Sequence, residues 1–389
     1  MPLKSGFVSK SKFMVAILLL AISIFTITAC NAAEQTNSSS NATLTCTVSR
    51  DSKFDSAVLS LTAEDFKQAG FNLGDSCDVA FSNGYTLTDV PYYNGYYVKK
   101  GSPVIVAYPK NDYVLIANKD AEFWTPAGLD NNCTVKITLN TPTKYSSTQE
   151  ALGQSYSVER SDYSSDEEFS KFRALSGGNL KSNFLYRGAS PVDNSRARAA
   201  ITDSLLEKAN IQCVIDLADA QSEMDEYIAS ENFSSFYTKT LYEKGRVALL
   251  SMNSDYDSSS YKEGIAKGVR HLLEYSGPAY IHCVEGKDRT GFVCLCIEGL
   301  AGANYEEMRD DYMITYANYY GITQDKTPER YDAVVSLYLD SFLEYLSGLS
   351  SNDRDELKAY DYSQSVKSYL LKCGLSDTEI NQLVDLITE

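Results

Sequence analysis

The sequence predicts an α/β domain preceded by a small β-rich domain. Three observations carry this. Between residues 43 and about 143, apolar and polar residues alternate, as at Leu44, Cys46 and Val48, at Cys77, Val79 and Phe81, and at Cys133, Val135, Ile137 and Leu139; this is the period of half-buried strands. Further on, continuous apolar β-prone runs at 211–217 and 279–283 are interleaved with helical spacing, the pattern of buried strands in an α/β sheet. From Asn304 onward the chain is helical throughout. At 389 residues, two domains and a leader are expected.

The leader opens with Lys4, Lys10 and Lys12 and no acid, followed by an apolar run over 13–28. That run is shorter than the ~20 residues a membrane helix needs and fits a secretory signal. Its end, Ile27-Thr28-Ala29-Cys30, resembles a bacterial lipobox, which implies lipidation of Cys30 as the new N-terminus. Ordinary cleavage near Ala32 and an uncleaved anchor are the alternatives. Residues 1–30 thus read as a signal with lipobox. Residues 31–42, rich in Ser, Asn and Ala, read as a flexible tether. The expectation is a protein outside the cytoplasm, anchored to the bacterial cell membrane. The formal charge of −17 argues against nucleic acid as a partner, because phosphate backbones need Lys and Arg.

The β-rich domain is placed at 43–145. Residues 104–108 and 113–117 are strand candidates around the turn Pro109-Lys110-Asn111-Asp112, and Thr62 can cap a short helix. Cys46, Cys77 and Cys133 fall on the apolar side by parity; they are buried thiols, or two of them form a disulfide that an oxidising compartment would permit. Gly74-Asp75 and Gly128-Leu129-Asp130 are similar to the C-terminal β-barrel of S-adenosylmethionine hydroxide adenosyltransferases, a resemblance that covers no catalytic motif. With no chemistry of its own, this domain is a spacer, a docking module or a cap.

The second domain is placed at 146–389. Residues 196–210 read as an amphipathic helix with Ala200, Leu205, Leu206 and Ala209 inward. Residues 211–217 form a buried strand that brings Asp216 to the carboxyl end of the sheet, where ligands gather. The decisive stretch is Ala279-Tyr280-Ile281-His282-Cys283-Val284-Glu285-Gly286-Lys287-Asp288-Arg289-Thr290-Gly291, with a buried helix over 292–297. Residues 284–289 are then the turn between a strand and a helix N-terminus, where unpaired N–H groups and the helix dipole favour an anion. A cysteine there loses its proton easily. The Cys283 thiolate can attack a phosphate monoester, and Arg289 can fork two phosphoryl oxygens. Thr290 can donate its hydroxyl to the sulfur on hydrolysis. His282 orients the loop, and Cys213, Cys294 and Cys296 belong to the core. Helical spacing recurs at 305–319, 328–349 and 362–373, and Ser376-Asp377-Thr378-Glu379 is a capping box. The tyrosines between Tyr312 and Tyr320 pack the helices or wall the cleft.

The run His282-Cys283-x-x-Gly286-Lys287-Asp288-Arg289-Thr290-Gly291 resembles the signature of Cys-dependent tyrosine phosphatases. More narrowly, it resembles the bacterial branch ending in Lys-Asp-Arg-Thr-Gly, which includes secreted lipid-active enzymes. Similar Asp-Arg-Thr endings occur in myotubularin-like phosphoinositide phosphatases. The likeness extends to Phe172-Arg173, to Leu185-Tyr186-Arg187-Gly188-Ala189-Ser190-Pro191, to Val214-Ile215-Asp216-Leu217, to Asp311-Tyr312-Met313 and to Thr315-Tyr316. It implies a tyrosine-phosphatase-like domain, a central sheet flanked by helices, acting through a phosphocysteine without metal or cofactor. It also implies that Val284, Glu285, Gly286, Lys287, Asp288 and Arg289 bind the phosphate. Phe172-Arg173 and Tyr186-Arg187 read as exposed, and Arg187 either helps bind substrate or is a surface arginine paired with a carboxylate.

The proton donor is open at this level. There is no Trp-Pro-Asp loop, and the sole tryptophan, Trp124, lies in the other domain. Asp255 or Asp257, in the polar loop 252–260, could swing over as general acid; Asp288 in the loop itself and Asp216 are alternatives. Lys287 would add a cation at the pocket rim, as related lipid-active enzymes do. Glu285 departs from the small residue usual there and should disfavour extra phosphates. The expected protein is an extracytoplasmic phosphatase favouring phosphotyrosine. Its alternatives are a phosphoinositide or inositol phosphate phosphatase, or an inactive phosphate-binding surface module. Its partners would be phosphorylated protein, peptide or lipid.

Overall fold

The computed structural model describes residues 42–389 apart from 110, 154, 276 and 351–353. The leader, with Cys30, lies outside the described residues.

The alternating segments build a closed barrel. Its strands are β1 (Thr43–Asp51), β2 (Ser56–Leu59), β3 (Ser76–Phe81), β4 (Thr86–Tyr93), β5 (Pro103–Val106), β6 (Leu115–Asn118) and β7 (Thr134–Thr141). They close in the order β1-β2-β6-β5-β4-β3-β7, antiparallel except for β4 with β5. Closure leaves no free sheet edge. The inward positions, among them Cys77, Val79, Phe81, Ile105, Ile116, Val135 and Ile137, form a core completed by Trp124. Between β2 and β3, α1 (Ala63–Gln68) starts at Thr62, whose hydroxyl accepts from Asp65 N–H in a capping box. Cys46, Cys77 and Cys133 are free thiols, Cys77 and Cys133 buried and Cys46 partly so. Burial pushes the Cys77 thiol up to about 12. The disulfide alternative is therefore not realised.

The second half is an α/β layer structure. After α2 (Ser146–Leu152) and α3 (Asp166–Ser170) come β8 (Arg173–Ala174), β9 (Leu185–Gly188), α4 (Ala199–Lys208), β10 (Cys213–Asp216), α5 (Gln221–Ala229), α6 (Phe236–Glu243), β11 (Val247–Leu249), α7 (Ser259–Glu274), β12 (Ala279–His282) and α8 (Asp288–Leu300). The sheet runs β11-β10-β12-β9-β8, parallel except for β8 against β9. Helices α9 (Tyr305–Tyr320), α10 (Pro328–Val334), α11 (Asp340–Ser347), α12 (Arg354–Ala359), α13 (Ser363–Lys372) and α14 (Asp377–Ile387) complete it. A π-helical turn, Val335–Leu339, joins α10 to α11. In α4 the buried alanine is Ala199; Ala200, expected inward, is exposed.

Residues 41–389 form one compact unit. The outer face of the barrel contributes Tyr93, Tyr97, Val104, Val106 and Leu115 to the same apolar core as Phe292, Tyr316, Tyr338 and Phe342 of the α/β layer. Polar ties reinforce the contact: Lys53 Nζ donates to Ala218 O at 2.6 Å, and Lys119 Nζ to Leu337 O at 3.3 Å. A shared core couples the unfolding of its two contributors. Calorimetry of residues 42–389 should therefore give one unfolding transition; two well-separated transitions would contradict the shared core.

Candidate active site

The loop after β12 is held from behind. Its carbonyls are taken up one after another: Val284 O by Ser190 N at 3.1 Å, Glu285 O by Tyr319 Oη at 3.0 Å, and Gly286 O by Arg187 Nη2 at 3.1 Å. The N–H groups of Val284, Glu285, Gly286, Asp288 and Arg289 have no acceptor among the described residues. An unpaired buried N–H costs about 1–3 kcal/mol, so a stretch of them marks a place prepared for an acceptor. Gly286 sits at φ +66°, and a Cβ there would collide with the Gly188 carbonyl; only glycine lets the loop lie so close to the end of β9.

Cys283 is buried at the start of this loop. Arg289, on the first turn of α8, donates Nη1 to Met252 O at 2.9 Å and lies near Leu217 O at 3.5 Å. The ends of β10 and β11 thus orient the guanidinium. Its Nε and Nη2 donate to no described group, which leaves the fork available for a planar or tetrahedral oxyanion. Thr290 is buried, and its hydroxyl has no hydrogen-bond partner among the described residues. Below the loop, His282 is pushed down to about 4, chiefly by burial and against the pull of Asp219, so its imidazole is neutral. It packs 3.8 Å from Asp216. Burial pushes both Asp216 and Asp219 upward; the Asp216 charge raises Asp219 further, while hydrogen bonds from Asp219 to Asp216 oppose the rise there.

A cleft of about 820 Å³ opens over the loop, and its opposite wall is the barrel. Cys283, Glu285, Lys287, Asp288 and Arg289 line one side; Phe54, Tyr96, Tyr108, Tyr113, Lys119 and Asp120 line the other. The first domain thus forms part of the cleft wall over the loop.

A protein-family model described as "Tyrosine phosphatase family" matches residues 168–389, more than half of the chain. The chain belongs to the tyrosine phosphatase family. It is a tyrosine-phosphatase-like hydrolase. Similar solved structures include P. aeruginosa TpbA, at 17% identity over 50% of this chain and 88% of that one, with a TM-score of 0.23. A variant of TpbA in complex with pTyr has the same identity and TM-score, covering 53% of this chain and 96% of its own. No curated protein matches significantly.

The phosphatase places several sequence-predicted residues differently from expectation. Arg187 is neither exposed nor at the cleft: it is 1% exposed on β9, with Nη1 on Asp311 at 2.6 Å and Nη2 on Gly286 O. It positions the loop rather than touching substrate. Arg173 joins it on Asp311 at 2.7 Å, and Phe172 is buried against Tyr280. These residues read as exposed because an isolated Phe-Arg or Tyr-Arg gives no hint of a carboxylate 124 residues away. Glu285 is no bare rim carboxylate either. Burial works to raise its pKa, but Lys287, the Tyr156 hydroxyl at 2.7 Å and Arg196 at 3.3 Å outweigh it and hold the carboxyl below its usual range. Lys287 is buried, 3.7 Å from Glu285 and 3.8 Å from Asp288, not a free cation at the rim.

Among the candidate acids, Asp255 is ion-paired with the barrel's Lys100, and Asp257 is tied to Lys262 at 2.7 Å and Tyr345 at 2.6 Å. Asp216 is fully buried and accepts from Ala218 and Asp219 N–H. Asp288 lines the cleft with its side chain 54% exposed. Sequence reasoning missed Arg196, Tyr156 and Asp120, each of which reaches the site from a segment without a motif. Among the described residues, no group of three His, Cys, Asp or Glu side chains could hold a metal ion.

Arg187→Met removes one partner of a buried ion pair and frees Gly286 O. It should cost about 3–5 kcal/mol of stability, and the displaced loop should lower kcat/KM by about 10²-fold. Arg187→Lys should not restore activity, because an ammonium cannot bridge both acceptors as a fork does. Chemical denaturation and steady-state kinetics on an aryl phosphate check this; a wild-type kcat/KM in Arg187→Met would refute the positioning role.

Proposed function

We propose that this protein hydrolyses phosphotyrosine through a phosphocysteine intermediate, outside the cytoplasm and tethered by a lipid on Cys30. The observation that carries the reaction is the loop itself. Its carbonyls are bonded away and its amides are left without protein acceptors, beside Cys283 and the open fork of Arg289. A phosphoryl group seated there has its non-bridging oxygens met by those amides and the guanidinium. The charge that grows on them in transfer is met by dipoles already in place. The thiolate attacks phosphorus, and water then cleaves the S–P bond.

The character of the cleft favours an aryl ester bearing one phosphate. Nine aromatic side chains line it, and its carboxylates outnumber its cations eight to six. Flat apolar walls suit a phenyl ring, whereas a headgroup with several phosphates would meet net negative charge. The lipobox-like Ile27-Thr28-Ala29-Cys30 after a basic, apolar leader supports the anchor. No helix of the described residues is long and apolar enough to cross a membrane.

Phosphate release by residues 31–389 from a phosphotyrosine peptide, a phosphoserine peptide, phosphoinositides and phytate tests the substrate class. The phosphotyrosine peptide should be turned over fastest, and Cys283→Ser should release nothing from any of them. A preference for phosphoinositides overturns the substrate assignment. No release by folded, reduced wild-type protein points to a binding module instead. For the anchor, full-length protein expressed in bacteria should incorporate a labelled fatty acid and Cys30→Ser should not; equal labelling of both refutes lipidation at Cys30.

A further inference from the structure

We propose that the barrel supplies the proton donor of this phosphatase: Asp120, at the turn after β6, protonates the leaving oxygen of the ester held at Cys283. The inference rests on the thiolate reading above and deepens it.

Asp120 lines the same cleft as Cys283, Asp288 and Arg289. It is held there firmly. A bridge between Asn118 and Ala121 closes its turn, and Asn118 Nδ2 donates to Glu122 O at 2.8 Å. The neighbouring Lys119 is anchored across the cleft on Leu337 O, with its ammonium 4.3 Å from the Tyr338 ring centroid. Asp120 itself stands at φ +49°, a left-handed conformation that Asp tolerates better than most residues. A rigid turn is a sound mount for a group that must meet a bound substrate.

What distinguishes Asp120 from Asp255, Asp257 and Asp216 is that no side-chain contact locks its carboxyl. Its carboxyl forms no hydrogen bond or ion pair among the described residues. The salt bridge to Lys100 engages Asp255, and Asp257 and Asp216 are engaged as described. A carboxylate locked on an ammonium is a poor acid; an unlocked one in a half-enclosed cleft holds its proton to higher pH. Burial pushes Asp120 up to about 6; Asp288 and Asp255 add to this, and Lys119 and Lys100 oppose it. The Tyr261 hydroxyl, in turn, lies within electrostatic reach of Asp120, Cys283 and Arg289 alike.

The steps balance. Cys283 sulfur bonds to phosphorus as the P–O(aryl) bond breaks. That bond's electron pair goes to oxygen, which takes the Asp120 proton and leaves as a neutral phenol. Water then attacks the phosphocysteine and passes a proton to the Asp120 carboxylate; the S–P bond breaks, returning thiolate and inorganic phosphate.

The test compares phenyl phosphate, a poor leaving group, with dinitrophenyl phosphate, whose leaving group needs no proton. Asp120→Asn should lose about 10²- to 10⁴-fold in kcat/KM on phenyl phosphate and far less on the dinitrophenyl ester. The alkaline limb of its pH profile should disappear, because activity that needs a protonated donor falls as pH rises through the donor's pKa. Asp120→Gly, which suits a left-handed turn, should repeat the pattern. Equal losses on both esters in both variants, or the leaving-group signature in Asp255→Asn or Asp288→Asn instead, would overturn the assignment. Cys283→Ser separates the two readings: activity retained on dinitrophenyl phosphate would remove the thiolate mechanism, and Asp120 with it.

Discussion

The whole site depends on three hydrogen bonds that hold the carbonyls of residues 284–286 away from the cleft. A peptide unit carries its donor and acceptor on opposite sides, so satisfying the carbonyl from behind leaves the amide to face the other way. Ser190, Tyr319 and Arg187 provide these contacts from three different elements. The most deeply rooted is Arg187, which shares Asp311 with Arg173 and ties β8, β9 and α9 to the loop. Opposite charges outweigh the burial that would otherwise raise the Asp311 carboxyl and hold it low. Beside it, burial and the Asp311 charge push Glu298 well up, so the network holds two guanidinium groups, one carboxylate and one neutral acid. Buried charges in that balance are tolerable because each is both paired and hydrogen-bonded.

The barrel changes what the loop can accept. A phosphatase loop in open solvent could bind any accessible phosphate, whereas here the opposite wall brings aromatic rings and carboxylates to within one cleft. On the proposed function, the loop would take a single phosphoryl group and the walls a flat apolar body behind it. The contact is not incidental to the fold. Tyr108 reaches Glu285 at 3.2 Å, and Lys100 pairs with Asp255, so the barrel touches both the loop after β12 and the loop that carries Asp255.

Much of this was legible in the chain. Local rules sufficed for the alternating strands, the Thr62 and Ser376 caps, the strand–turn–helix around Cys283 and the buried helix after it, because each depends on neighbours in sequence. The loop's chemistry was legible for the same reason: its residues are contiguous. What could not be read were long-range partners. Arg187 looked like a surface residue until Asp311 stood beside it, Glu285 looked like a bare negative charge until Tyr156 and Arg196 arrived, and Lys287 looked like a rim cation. Barrel closure and its docking over the site are likewise products of tertiary packing, and no local pattern around Asp120 sets it apart from any other turn aspartate.

The most direct test of the central claim, that the pinned loop makes Cys283 the phosphoryl acceptor, is to trap the adduct. Residues 31–389 mixed with an aryl phosphate and quenched in acid within a turnover can be digested and analysed by mass spectrometry. The account predicts one added phosphoryl group on the peptide carrying Cys283, and none in Arg187→Met at the same time point. Turnover with no adduct, or with the phosphoryl group on another side chain, would contradict it.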